Sequence, residues 1–254
     1  MQSGEVAADC PNPFDERIAL HYEAWYDTPE GRRADELEKS VLGGLFQGFS
    51  GSGSVLELGC GTGHFTRWLS DEGLAAVGLD LSAAMLAQAQ ALDGVPPDWN
   101  NPLVQGDARR LPFADGAFDL TAIITTLEFL KRPREVLREA LRVSRRGVIL
   151  GVLNRWSVLG LQRRLAGLFR HTVYDAAHFY GVRELKRLLR SVAGGNARNA
   201  RIGTIRWHTT LFPRWWPWPQ ASLPWGGFIG MVLRFGGYTT SGSEKPPDWN
   251  NPRS

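Results

Sequence analysis

Val55-Leu56-Glu57-Leu58-Gly59-Cys60-Gly61-Thr62-Gly63 is the stretch that decides the fold. A short apolar run of strand length, Val55 to Leu58, enters a loop with glycine at every second position. A helical pattern opens directly after it, from about Thr62 to Ser70. Glycines there let the backbone take positive φ and approach a ligand closely. In open α/β sheets ligands bind beyond the carboxyl ends of the strands, at the point where strand order reverses, and this loop belongs at such a point.

Outward from the loop, strands and helices alternate, which predicts a parallel sheet with right-handed crossovers. Ala75–Leu79 reads as a second strand, and Ser82 as the N-cap of the Ala-rich helix after it. Leu103–Gln105 and Phe118–Ile124 read as strands three and four. A helix over Arg134–Val143 sets Val136, Leu137, Ala140 and Leu141 against a charged face, and Val148–Leu153 is the fifth strand. On the N-terminal side, Phe14 to Phe49 has a helical pattern, joined to the core by Gly51-Ser52-Gly53-Ser54. Further on, helices are expected near Trp156–Phe169 and Val182–Val192. Strands over Ile202–Thr210 and Gly227–Phe235 are expected to close the sheet as an antiparallel pair. Proline keeps Leu211–Pro219 out of both helix and central strand.

Spacing excludes two classes of ligand. A dinucleotide loop reads G-x-G-x-x-G, but His64 stands where its third glycine belongs, and no Lys-Ser/Thr follows as in a phosphate loop. Glu57-Leu58-Gly59-Cys60-Gly61-Thr62-Gly63 resembles motif I of the S-adenosylmethionine-dependent methyltransferases. Val77-Gly78-Leu79-Asp80-Leu81-Ser82 resembles their second-strand motif. Gly106-Asp107-Ala108, Leu111-Pro112-Phe113 and Phe118-Asp119-Leu120 resemble the next two elements. Tyr22 to Arg32 resembles the leading segment that folds as a lid in small-molecule enzymes of the ubiquinone/menaquinone-biosynthesis-like type 11 family. The resemblance runs from about Tyr22 to Phe235 and is most specific over 55–130. It implies a Rossmann-like class I methyltransferase fold: a seven-stranded, mostly parallel sheet with helices on both faces and an antiparallel C-terminal strand. One domain over 14–254 is expected, with a helical lid at 14–50, a cofactor-binding core at 51–155 and substrate-side elements at 156–235. Residues 1–13 and 236–254 are expected to be disordered tails.

The cofactor so implied is S-adenosylmethionine. Its expected contacts are Tyr22, Glu57, Gly59, Cys60, Gly61, Gly63, Asp80, Leu81, Asp107, Ala108 and Thr125. Asp80 receives the ribose hydroxyls in the family's pattern, and Asp107 the adenine amine. The residue chemistry agrees, since ionised carboxylates at strand ends are acceptors only. Tyr22 and Trp25 offer ring faces to a sulfonium.

Methyl transfer asks mainly for alignment of nucleophile and methyl carbon. A base is needed only for a protonated acceptor. Glu128, after strand four, and His178 and Tyr180, before the late helix, are the catalytic candidates; His21 and His208 rank below them. Five tryptophans between Trp207 and Trp225 suggest a roof over an apolar or aromatic small-molecule acceptor. The alternatives are a quinone or lipid methyltransferase touching a membrane surface through 211–225, or a non-catalytic S-adenosylmethionine-binding domain.

The totals narrow the field. A net charge of +3 over 254 residues, with no block of like charge, argues against a nucleic-acid partner. DNA amino-methylation lacks its Asp/Asn-Pro-Pro-aromatic motif after strand four, and cytosine chemistry lacks a nucleophilic cysteine there. Two cysteines, Cys10 and Cys60, leave no Cys-based metal site and make a disulfide unexpected. The first ten residues lack the apolar core of a signal peptide, so a cytoplasmic location is expected. PPDWNNP occurs at Pro96–Pro102 and again at Pro246–Pro252, but two copies do not make a repeat architecture.

Overall fold

β1 (Ser54–Leu58) sits inside the sheet, buried from Val55 onward, with parallel partners on both edges. β2 (Ala75–Asp80) pairs with it on one side, with Val55 opposite Ala76 and Leu58 opposite Leu79. β4 (Phe118–Ile124) pairs on the other, with Val55 opposite Leu120. β3 (Leu103–Gln105) extends the sheet beyond β2, and β5 (Ser144–Leu153) extends it beyond β4. β8 (Phe228–Phe235) then runs antiparallel to β5. β6 (Ile202–Thr210) follows, antiparallel to β8, with β7 (Gln220–Ala221) on its outer edge. The computed structural model describes residues 14–49, 53–92, 102–155, 177–194, 202–213 and 219–236.

Among the described residues the sheet therefore has eight strands, in the order β3-β2-β1-β4-β5-β8-β6-β7, not seven. The additional strand, β7, is two residues long and lies between Pro219 and Pro224. It has no periodicity to read, and it is held by Thr209 and Thr210, which pair with its two residues.

Period-2 alternation sorts the strands between two cores. On one face Leu56, Leu58, Val148, Leu150 and Met231 meet α5 (Pro133–Val143) and α6 (Val182–Ala193) through Val136, Leu137, Leu185 and Leu189. On the other, Val55, Leu120, Ile149 and Val232 meet α2 (Pro29–Phe46) and α3 (His64–Asp71) through Val41, Leu42, Leu45, Phe65 and Leu69. α4 (Ala83–Ala91) contacts β2 and β3. As expected, the Ser82 hydroxyl caps it, accepting the Met85 N–H at 3.3 Å.

The N-terminal helical stretch is two helices. α1 (Glu16–Tyr22) is capped by Asp15, which accepts the Ile18 N–H at 2.9 Å. A 3₁₀ turn, Glu23–Trp25, follows. α2 then starts at Pro29, with the Thr28 hydroxyl accepting the Gly31 N–H at 3.0 Å. Thr at the N-cap followed by Pro at the first helical position is a strong start signal, and it divides the pattern there.

The helix expected near Trp156–Phe169, residues 1–13 and 237–254, and Arg214–Trp218 lie outside the described residues. So do both PPDWNNP copies, except Pro102, whose carbonyl accepts the Gly78 N–H at 3.0 Å. No helix among the described residues is long and apolar enough to cross a membrane.

Candidate active site

β1 and β4 are neighbours, yet the chain leaves β1 towards β2 and β3 and leaves β4 towards β5. The loops after the two strands diverge, and a crevice opens between them at the carboxyl edge. A cleft of about 1050 Å³, open mouth included, occupies that position.

The glycine loop forms one wall. Gly59 (φ 73°) and Gly61 (φ 55°) are left-handed, and the two positions differ in what surrounds them. A Cβ on Gly59 would lie 2.2 Å from the Thr126 methyl carbon, whereas one on Gly61 would meet nothing within 4 Å. Gly59 is therefore needed by the fold, while Gly61 leaves open space on the cleft side. Thr126 closes the joint from the opposite strand, donating its hydroxyl to the Gly59 carbonyl at 3.0 Å. Its neighbour Thr125 carries φ 48°, a strained state for a β-branched residue, and donates its N–H to the Gly151 carbonyl at 2.7 Å.

Two carboxylates face the cleft from adjacent strand ends. Asp80, the last residue of β2, accepts the Gly61 N–H on Oδ2 and the Ser82 N–H on Oδ1, both at 2.8 Å. These two bonds fix its plane and leave further lone pairs for a ligand. Burial raises its pKa despite those backbone donors. Asp107, beyond β3, works against burial of its own, but the Arg109 side chain and N–H hold its pKa below the ordinary value. Arg109 reaches it with Nε at 2.9 Å and Nη2 at 2.8 Å.

Aromatic rings cover the apolar side. Phe14 stands edge-on to Phe129 at 5.1 Å between centroids and to Tyr22 at 6.3 Å. Leu79, Met85, Leu130 and Val136 complete the lining, and Lys131 and Arg132 stand near its rim.

Of the expected cofactor residues, Tyr22, Gly59, Gly61, Asp80, Leu81, Asp107, Ala108 and Thr125 come together along this cleft. The other three lie behind it. Glu57 is buried under the loop, accepting the Thr66 hydroxyl at 2.5 Å, and burial pushes its pKa up to about 8. The Cys60 thiol is turned inward, 2.9 Å from where a Gly78 Cβ would stand. Burial, then Glu57 and Asp80, raise its pKa. Gly63 (φ 79°) is the N-cap of α3.

The three catalytic candidates do not line the cleft. Glu128 is 1% exposed, and its Oε1 accepts the Leu153 N–H at 2.5 Å. Its carbonyl accepts the His178 N–H at 2.7 Å. Tyr180 is buried, its hydroxyl 3.4 Å from the Leu127 carbonyl. Burial, then the charges of Glu128 and Glu184, raise its pKa. His178 is half-exposed, paired with Glu184 at 2.8 Å. Sequence reasoning missed Phe14, Arg109 and Phe129. Arg109 had a signal in its place two residues after Asp107, where its own N–H turns back to that carboxylate at 2.8 Å.

This donor set fits an adenosine with a cationic tail: two oriented carboxylates, a glycine edge that a Cβ would fill, and ring faces opposite. Residues 56–152 match the family described as "Methyltransferase domain". An uncharacterized protein of Methanocaldococcus jannaschii is 29% identical over 192 residues, 74% of this chain and 83% of that one. Malonyl-[acyl-carrier protein] O-methyltransferase of Legionella pneumophila is 41% identical over 35% of this chain and 31% of its own length. Demethylmenaquinone methyltransferase of Beutenbergia cavernae is 41% identical over 37% of each chain. The match thus spans about a third of each of these two enzymes. The crystal structure of an S-adenosylmethionine-dependent methyltransferase of Thermotoga maritima superposes with a TM-score of 0.67 at 23% identity, over 86% of this chain and 96% of that one. Residues 56–152 thus match the methyltransferase-domain family, and the chain has the fold of an S-adenosylmethionine-dependent methyltransferase.

Proposed function

We propose that the chain transfers a methyl group from S-adenosylmethionine to a small apolar or aromatic acceptor by in-line displacement. The observation that carries this reading is the convergence of Gly61, Asp80 and Asp107 on one cleft at the switch point of the sheet. When bound, S-adenosylmethionine supplies a sulfonium methyl group open to displacement. Asp80 is oriented to accept ribose hydroxyls, and Asp107, kept ionised by Arg109, to accept from the adenine amine. Phe14, Tyr22 and Phe129 exclude water from the opposite side and offer ring faces to a cation.

The remaining demand is chiefly alignment, which requires walls, while the proton of a phenol or hydroquinone acceptor passes to solvent at the open mouth of the cleft. Glu128, His178 and Tyr180 support such walls from behind the cleft by tying the ends of β4 and β5 to residues 177–180. The curated relatives act, by their names, on malonyl-[acyl-carrier protein] and on demethylmenaquinone. The apolar lining of the cleft supports an acceptor of the second kind.

Purified protein incubated with methyl-labelled S-adenosylmethionine and panels of hydroquinones, phenols, thiols and malonyl thioesters tests this. Label is expected in a hydroquinone or phenol and absent with Asp80→Ala. Transfer confined to malonyl thioesters would remove the aromatic acceptor, and cofactor binding without transfer to any panel would favour a binding domain.

A further inference from the structure

His64 is the first residue of α3, directly behind the glycine loop, and its side chain is only 16% exposed. Its ring lies flat on Tyr26, with centroids 3.7 Å apart and planes 10° from parallel. Nε2 is 2.7 Å from Asp35 Oδ1 on α2, and Nδ1 is 3.7 Å from Glu23 Oε2 on the 3₁₀ turn. Glu23 also accepts the hydroxyl of Thr62, inside the glycine loop, and lies 3.5 Å from Arg67 Nη2. Arg67 donates in turn to the Thr62 carbonyl at 2.8 Å. One end of the N-terminal segment is thereby fixed to the loop that forms the cleft wall. Its other end is fixed across the cleft, where the Ser82 hydroxyl donates to the Phe14 carbonyl at 2.9 Å. Phe14 and Tyr22, between the anchors, line the cleft.

We propose that His64 is a positioning residue for the cofactor: as an imidazolium it clamps Glu23 and Asp35 together and holds the Phe14–Tyr22 strap over the cleft. The inference rests on reading that cleft as the S-adenosylmethionine site. Charge explains why protonation matters. With both nitrogens protonated, the ring donates towards both carboxylates; a neutral ring keeps one donor and turns a lone pair on the other acid. The groups acting on it are Glu23 from the turn, Asp35 and Lys39 from α2 and Glu57 from β1, with Tyr26 stacked on it; Glu38 bears on Tyr26, and Arg67 on Glu23 and Glu57. Lys39, 2.8 Å from Asp35, and the start of α3 both oppose a cation. Burial also works to keep the ring neutral, but the hydrogen bond to Asp35 and the nearby Glu23 carboxylate outweigh it and raise the pKa above its ordinary 6.5. The clamp is thus complete below that value and is lost as pH rises through the raised one.

The test is calorimetric titration of S-adenosylhomocysteine into wild type, His64→Gln and Asp35→Asn between about pH 6 and about pH 9, with thermal unfolding at each pH to show that all are folded. Gln keeps a donor for Asp35 but cannot titrate, and the ligand's own ionisation cancels in the ratio of affinities. The advantage of wild type over His64→Gln is expected to shrink by at least about fivefold across this range, and Asp35→Asn is expected to flatten the profile as well. Parallel pH profiles for wild type and His64→Gln would overturn the clamp alone. No binding by folded wild type at any pH would overturn the cofactor reading and the clamp with it.

Discussion

Asp80 accepts a backbone N–H on each carboxylate oxygen, those of Gly61 and Ser82, and lines the cleft, so a ribose diol bound there would use the lone pairs left over. Asp80→Asn keeps the shape but exchanges an acceptor for a donor. Hydrogen bonds to charged groups contribute about 1.5–3 kcal/mol, so affinity for S-adenosylhomocysteine is expected to fall about 10- to 100-fold by calorimetry. Wild-type affinity is also expected to weaken as pH falls through the raised pKa of Asp80, because the protonated acid donates where it should accept. The two glycines separate fold from binding. Left-handed backbone costs a non-glycine residue about 1–2 kcal/mol, and at Gly59 the clash with Thr126 adds to it. Gly59→Ala is therefore expected to lower the unfolding temperature clearly. Gly61→Ala is expected to stay folded, with open space around its methyl group, and to lose cofactor binding. At this scale the sequence was legible where a strand end fixes the residue: Asp80, Asp107 and the glycines could be named from their offsets to β1, β2 and β3. Phe14 and Phe129 could not, since they meet at 5.1 Å across 115 residues of chain only after the strap has folded back.

Between elements, the joint that matters is at the carboxyl ends of β4 and β5. Glu128 gives its side chain to the Leu153 N–H and its carbonyl to the His178 N–H, and Asn154 donates to the Pro224 and Gly226 carbonyls at 2.7 and 2.8 Å. Removing a buried partner leaves the other group unsatisfied, at about 1–3 kcal/mol. Glu128→Ala is expected to cost at least that in chemical denaturation, and to leave the affinity for S-adenosylhomocysteine within about twofold if the joint serves structure alone. A lone acid after a strand reads equally well as catalyst or tie in one dimension, and only its burial separates the two. β7 was illegible for a related reason: its two residues owe their strand state to β6 and not to any pattern of their own.

Across the whole molecule, alternation with helices and the handedness of crossovers predicted that β1 to β5 are parallel, whereas their order, β3-β2-β1-β4-β5, is not fixed by those rules, because another doubly wound order obeys them equally. Glu57, on β1 inside the sheet, makes the whole fold pH-dependent. Its pKa rises from 4.5 to about 8 on burial, so the folded state binds the proton more tightly than the unfolded chain. Its contribution to stability is present below 4.5 and is lost as pH rises towards about 8. Thermal unfolding of Glu57→Gln should show a shallower decline than wild type, which should become less stable across that range. The account as a whole stands on the cleft at the β1–β4 switch point being a cofactor site. Calorimetric titration of S-adenosylhomocysteine into wild type and Gly61→Ala tests it most directly. Saturable one-site binding by wild type, abolished in a variant that unfolds as cooperatively as its parent, is the predicted result. Absence of binding by folded wild type, or equal binding by both proteins, would contradict it.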